Sequence, residues 1–136
     1  MLARCLKPDG IAVIQTITID ERLFSRYRRG TDWIREYIFP GAFCPPLASM
    51  VEAMRRSSEL QVEGIENIGI HYADTLRLWR EAFMGNLDQV RELGFTDEFI
   101  RTWEFYLAFC EAGFRTRALG DLQMVISRAY NGALPR

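Results

Sequence analysis

Apolar and polar positions follow two rhythms along this chain, and the switches between them divide it into elements. Leu2, Cys5 and Leu6 read as the tail of a helix, and Lys7-Pro8-Asp9-Gly10 as the turn into a strand. Ile11 to Ile17 is a short β-branched run without strict alternation. It predicts a strand buried on both faces, as in a parallel sheet. Two short helical pieces follow, Asp20 to Arg28 and Thr31 to Tyr37, separated by Gly30 and closed by Phe39-Pro40-Gly41. Pro45 and Pro46 sit where prolines open a helix, and Leu47, Met50, Val51 and Met54 then recur at helical spacing. Leu60 to Ile68 reads as a second strand. Asp74 is placed to cap a helix whose stripe is Leu76, Trp79, Phe83, Leu87 and Val90, with Gly94 as its stop. Thr96 caps the next helix, with Asp97 and Glu98 at its positive end and a stripe of Phe99, Trp103, Leu107, Cys110 and Phe114. Leu122 to Tyr130 is the last strand. This order predicts an α/β domain with an incomplete sheet of three strands.

Composition narrows the classes. The 136 residues fit one domain, and 49% hydrophobic with 26% charged residues is a globular balance rather than a disordered one. A net charge of −1 gives no reason to expect a nucleic-acid partner. No apolar run is long enough to span a bilayer and no signal pattern opens the chain, so the expected compartment is the cytoplasm. Cys5, Cys44 and Cys110 form no paired motif, and His71 is the lone histidine; no metal site is expected and the thiols read as free. Arg22, Arg26, Arg28, Arg29 and Arg35 would meet anionic lipid headgroups at the membrane's inner face. Asp20, Glu21, Asp32 and Glu36 interleave with them, so an ordinary solvated face is the better reading.

Four stretches carry a family resemblance: LKPDGIAVIQTITI (Leu6 to Ile19), DWIREYIFPGAFCP (Asp32 to Pro45), IGIHYADTLRLW (Ile68 to Trp79) and TWEFYLAFCEAGFR (Thr102 to Arg115). Together they resemble the cyclopropane-fatty-acyl-phospholipid synthases, a family that includes the mycolic acid cyclopropane synthases. The resemblance implies a class I, S-adenosylmethionine-dependent methyltransferase fold (Rossmann-like). Residues 1–136 would be the C-terminal portion of its single domain. The three strands would be the fifth, sixth and seventh of that sheet, with the last antiparallel and inserted between the others. The implied activity is methyl transfer to a cis double bond of a lipid acyl chain, in lipid biosynthesis. Loss of a proton then closes a cyclopropane ring, and relatives trap the cation in other ways.

That chemistry makes demands of its own. An alkene is a weak nucleophile and must be held against the sulfonium methyl at near-attack distance. The resulting cation needs a dry, aromatic-lined pocket, and a base must stand close to take one proton. The resemblance implies that a bound bicarbonate is this base. Tyr72 matches the tyrosine whose hydroxyl helps hold it, and Ile17 a position whose backbone touches it. Gln15 stands where several relatives carry a histidine; it can donate an amide N–H to the anion but cannot share its proton. Cys110 matches a cysteine proposed as an active-site residue, although methyl transfer to an alkene needs no covalent nucleophile. A buried small hydrophobe is its alternative reading. His71 reads as a cap or surface residue. Phe39, Trp79, Trp103, Tyr106 and Phe114 are the candidates for the acyl pocket, with ordinary core packing as the alternative.

The family's glycine-rich cofactor loop and acidic bicarbonate ligand match nothing in the chain. The expectation is that no residue here binds the cofactor, that the chain alone carries neither S-adenosylmethionine nor bicarbonate, and that its strands lack their neighbours. An exposed sheet edge would then favour self-association. The alternative to an enzyme portion is a non-catalytic lipid-binding or interaction module that packs on a separately encoded partner.

Overall fold

Three strands form one sheet in the order β1-β3-β2 in a computed structural model that describes residues 2–134. A short α1 (Leu2–Cys5) leads through the predicted turn into β1 (Ile11–Ile19). Next come α2 (Glu21–Arg29), α3 (Trp33–Tyr37) and α4 (Leu47–Ser57), then β2 (Leu60–Asn67). The chain continues through α5 (Gly69–Gly85), α6 (Leu87–Glu92) and α7 (Asp97–Arg115) to β3 (Leu119–Arg128). β3 runs antiparallel to both neighbours, opposing Ile17 with Asp121 and Gln15 with Gln123 on the β1 side. A bulge between Val62 and Gly64 shifts the β2 register. The last strand therefore lies between the other two, as the resemblance implied.

Side-chain alternation gives the sheet two different faces. Leu122, Met124 and Ile126 of β3 and Leu60 of β2 are buried together on one face, with Ala12, Ile14, Leu47, Met50 and Met54 packed on them. A second cluster of Ala73, Leu76, Leu107 and Phe114 forms where α5 meets α7. Leu119 packs on it from the other sheet face, the one that Asp121 and Gln123 share by alternation. Ion pairs Arg80–Glu111 (3.0 Å) and Arg115–Asp74 (3.0 Å) hold α5 and α7 antiparallel.

Several expectations change. β1 is not buried on both faces: its burial alternates along the strand, with Ile11 at 44% and Val13 at 65% exposed. The physical reason is its ladder, which is antiparallel to β3, and its covering, which lies on the Ala12–Ile14 face. Asp74 does not cap a helix. α5 begins five residues earlier, where the Asn67 side chain accepts from Gly69 N (3.0 Å), and Asp74 instead pairs with Arg115. The stripe from Leu76 to Val90 belongs to two helices, because Asn86 leaves the helical path and turns its side chain back to donate to Ala82 O (2.7 Å). β3 starts at Leu119 and ends at Arg128, three residues earlier and two residues shorter at the end than expected. Thr96 does cap α7, its hydroxyl accepting from Phe99 N (3.2 Å), and α4 does follow Pro46 directly.

Candidate active site

Tyr72 stands one turn into α5, and the start of that helix is tied to the middle of the sheet. Ile68 N donates to Asp121 O (2.8 Å), so the first turn of α5 lies against β3. Gly69 permits the approach: a Cβ at that position would come 3.1 Å from Asp121 N and 3.3 Å from Gly120 Cα. The Tyr72 ring packs on Phe114 of α7 (4.9 Å between centroids) and meets Trp79 edge-on (6.2 Å). Tyr106 of α7 touches Trp103 (5.2 Å) on the same helix and Phe39 (5.8 Å) from the loop after α3. Tyr72, Trp103, Tyr106 and Cys110 all pack on the buried Ala73–Leu76–Leu107–Phe114 cluster.

The structure thus brings Tyr72, Cys110, Trp103, Tyr106 and Phe114 into one apolar assembly, with Phe39 joined through Tyr106 and Trp79 at its rim. Trp79 is 52% exposed. Gln15 and Ile17 lie on β1, where Gln15 bonds to Asp121 and Ile17 stands opposite it in the ladder; neither packs in the aromatic cluster. A cavity of about 230 Å³ at the ends of β1 and β2 shares only Phe114 with these residues. Thr18, Asn67, Gly69, Ile70 and Arg117 also line it. It adjoins the aromatic assembly without containing it.

Electrostatics follow from dryness. Burial pushes the Tyr106 phenol up to about 12 and the Cys110 thiol up to about 11, with the neighbouring acidic groups adding to each. Cys110 is therefore a neutral thiol at physiological pH. The Tyr72 phenol is also raised, chiefly by burial and then by the charges of Asp121 and Cys110. Burial likewise raises Cys44, which donates its backbone N–H to the Tyr27 hydroxyl (3.0 Å). Arg35 lies over the Tyr27 ring (4.3 Å) and pairs with Asp32 (3.0 Å), and Arg22 pairs with Asp20 (2.7 Å). These internal pairs neutralise part of the basic cluster. His71 is exposed, in the first turn of α5. No group of metal-ligating side chains occurs among the described residues.

One polar residue of the site escaped the sequence reading. Asp121 is 1% exposed in the middle of the sheet. Its Oδ2 accepts from Gln15 Nε2 (2.8 Å), while Oδ1 is buried with no hydrogen-bond partner among the described residues. Gln123 Nε2 donates in turn to Gln15 Oε1 (3.2 Å). A carboxylate only accepts, so this chain of bonds fixes which end of the Gln15 amide faces Asp121. Burial raises the Asp121 carboxyl, opposed by the Gln15 bond. The available signal was a lone carboxylate heading an apolar run, and a strand start at Leu122 left it outside the strand.

A β1-β3-β2 sheet with an inserted antiparallel last strand, and an aromatic assembly built on the helices before that strand, define part of a class I methyltransferase fold. The chain belongs to the mycolic acid cyclopropane synthetase family, whose family model matches residues 1–124. It is 38% identical over 127 residues to the tuberculostearic acid methyltransferase UfaA1 of Mycobacterium tuberculosis, covering 93% of this chain and 30% of that protein. It is 31% identical to the cyclopropane-fatty-acyl-phospholipid synthase of Escherichia coli, covering 96% of this chain and 32% of that protein. Among solved structures, the cyclopropane synthase MmaA2 of Mycobacterium tuberculosis superposes with a TM-score of 0.78 at 26% identity, covering 93% of this chain and 47% of that one. The mycolic acid cyclopropane synthase CmaA1, in complex with SAH and CTAB, gives 0.78 at 26% identity, over 92% and 46%. The chain spans about a third of the curated relatives' length and just under half of these solved chains.

Proposed function

We propose that the natural full-length protein carrying this chain transfers a methyl group from S-adenosylmethionine to a cis double bond of a lipid acyl chain. The observation that carries this is the convergence of Tyr72, Trp103, Tyr106, Cys110 and Phe114 on one buried cluster, in a chain of this family. S-adenosylmethionine, when bound, supplies an electrophilic methyl group, and no residue here is assigned to holding it. Phe39, Trp79, Trp103, Tyr106 and Phe114 line the acyl chain; their rings exclude water and their π faces attract the cation that forms. Cys110, in its thiol form, is a small apolar wall beside them. Tyr72 keeps its hydroxyl proton and orients the reacting end of the site. The Gln15–Ile17–Tyr72 locus, where the resemblance puts bicarbonate, is the proton-accepting end.

Among the described residues no helix is long and apolar enough to cross a membrane. The lipid is reached by peripheral contact with a membrane surface. The test presents the full-length protein with S-adenosylmethionine and vesicles of a cis-monounsaturated phospholipid, then weighs the released acyl chains by mass spectrometry. The expected product is one carbon heavier, and Tyr72→Phe lowers its rate by roughly 10-fold, the scale of one lost hydrogen bond of about 1.4 kcal/mol. Lipid binding with no mass change in the wild type would overturn the reading.

A further inference from the structure

The cavity at the ends of β1 and β2 gathers hydrogen-bond donors that the fold leaves without partners. Both strands run antiparallel to β3, hence parallel to each other. The cavity lies outside their carboxyl ends, where open α/β sheets take their ligands. Thr18 lines it, is only 6% exposed, and its hydroxyl makes no hydrogen bond among the described residues. Asn67 lines it too; its Oδ1 accepts from Gly69 N (3.0 Å), which turns the amide NH2 the other way. A Cβ at Gly120 would meet Thr18 Oγ1 at 2.9 Å and Asn67 Nδ2 at 3.2 Å. The two polar groups therefore border one space, kept open by the absent side chain. Ile70 brings the N-terminus of α5 to the same wall, with no acidic residue in its first turn. Position leaves the N–H groups of Ile70 and His71 outside the helical ladder. Arg117 completes the lining with an exposed guanidinium that forms no ion pair among the described residues. Its backbone φ of 60° is one that glycine adopts more easily. Asp20 is the carboxylate of this lining, and Arg22 engages both of its oxygens.

We propose that this cavity binds a phosphate group, held by Thr18, Asn67, Arg117 and the N-terminus of α5. A hydroxyl, an amide NH2, a guanidinium and a positive helix end all favour an acceptor that carries negative charge. A phosphate offers them at least three oxygens and, as a monoester at pH 7, a charge between −1.5 and −2. At about 230 Å³ the cavity falls below the roughly 300–1,000 Å³ of pockets that take drug-sized ligands. It therefore suits a tetrahedral group rather than a nucleoside or an acyl chain. Inorganic phosphate and the phosphomonoester headgroup of a lipid both present that group. The site shares no residue with the Gln15–Ile17–Tyr72 locus. Its test involves no methyl transfer, so this proposal and the methyl-transfer reading stand or fall separately.

The experiment titrates the full-length protein with inorganic phosphate and, separately, with bicarbonate in a calorimeter. It then measures binding to phosphatidylcholine vesicles with and without phosphatidic acid. Phosphate is expected to bind and bicarbonate at the same concentration is not. Arg117→Gly should weaken phosphate binding about 10-fold or more, the scale of a lost charge-assisted hydrogen bond. That variant also relieves the positive φ, so its melting temperature should equal or exceed the wild type's. Thr18→Val keeps the side-chain shape and should weaken binding by roughly 5- to 10-fold. If the natural ligand is a headgroup, phosphatidic acid strengthens vesicle binding, inorganic phosphate competes with it, and Arg117→Gly loses the gain. If it is free phosphate, the calorimetric site persists while vesicle binding is the same in both proteins. Three results would overturn the proposal: no binding in either arm, bicarbonate binding as tightly as phosphate, or equal phosphate affinity in the wild type and Arg117→Gly.

Discussion

Asp121 sets the site against the fold. A buried carboxylate with one oxygen unpartnered costs stability when ionised, because nothing replaces the water it has lost. Its folded value is raised above the ordinary one, so the folded state binds the proton more tightly than the unfolded chain does. Stability contributed through this group is therefore greatest in acid and falls as pH rises through the interval just above 3.8, the ordinary aspartate value. The groups around it are the neutral Gln15 amide from β1 and the Tyr72 phenol from α5, neither of which titrates in that interval. Asp121→Asn should remove this dependence and raise the melting temperature at pH 7 by a few degrees, corresponding to about 1 kcal/mol. Thermal melts of both proteins from pH 3.5 to pH 7 read the effect, and a lower melting point for Asp121→Asn would contradict it.

At the scale of elements, the packing of α5 on β3 depends on a residue with no side chain. Gly→Ala inside a helix ordinarily stabilises by about 0.5–1 kcal/mol. Gly69→Ala should do the reverse, because the new Cβ meets Asp121 N at 3.1 Å and Gly120 Cα at 3.3 Å, backbone held in a strand paired on both sides. The expected cost is about 1–3 kcal/mol by overpacking, read from a denaturant titration, with activity falling as Tyr72 shifts. Gly85→Ala, where a Cβ meets nothing within 4 Å, is the matched control and should be neutral or mildly stabilising. Phe114→Ala acts through the other helix: the side chain is 2% exposed and carries the Tyr72 ring at 4.9 Å. Its removal should cost about 3–5 kcal/mol, enough to bring most domains near unfolding.

At the scale of the molecule, one sign runs through four partly buried thiols and phenols. Cys44, Cys110, Tyr72 and Tyr106 are all raised, chiefly by burial. Each holds its proton more tightly in the folded state, so stability is full below the ordinary thiol value of 9.0 and is lost as pH climbs toward about 11. A melting temperature that stays flat from pH 8 to pH 11 would contradict that coupling. The open sheet face is the other global feature. Ile11, Val13 and Ile17 project from it, with Val13 65% exposed. The 136-residue chain by itself is expected to self-associate, and Val13→Lys to reduce this in sedimentation velocity runs. A monomer with a sharp cooperative melt would answer otherwise.

The sequence by itself determined whatever is written in local patterns. Thr96 and Pro46 mark helix starts by chemistry confined to a few residues, and the motifs around Tyr72 and Cys110 establish the family. The approximate positions of all three strands were legible for the same reason. What only the tertiary structure decided is what depends on residues far apart in the chain. The alternating exposure of β1 follows from the antiparallel return of β3, more than a hundred residues later. The start of α5 follows from Asn67 and from a bond to β3, which no cap signal at Asp74 could reveal. Asp121 is buried because the fold sets it opposite Ile17 and within reach of Gln15. A carboxylate's role depends on its desolvation and its partners, and those are properties of the folded sheet.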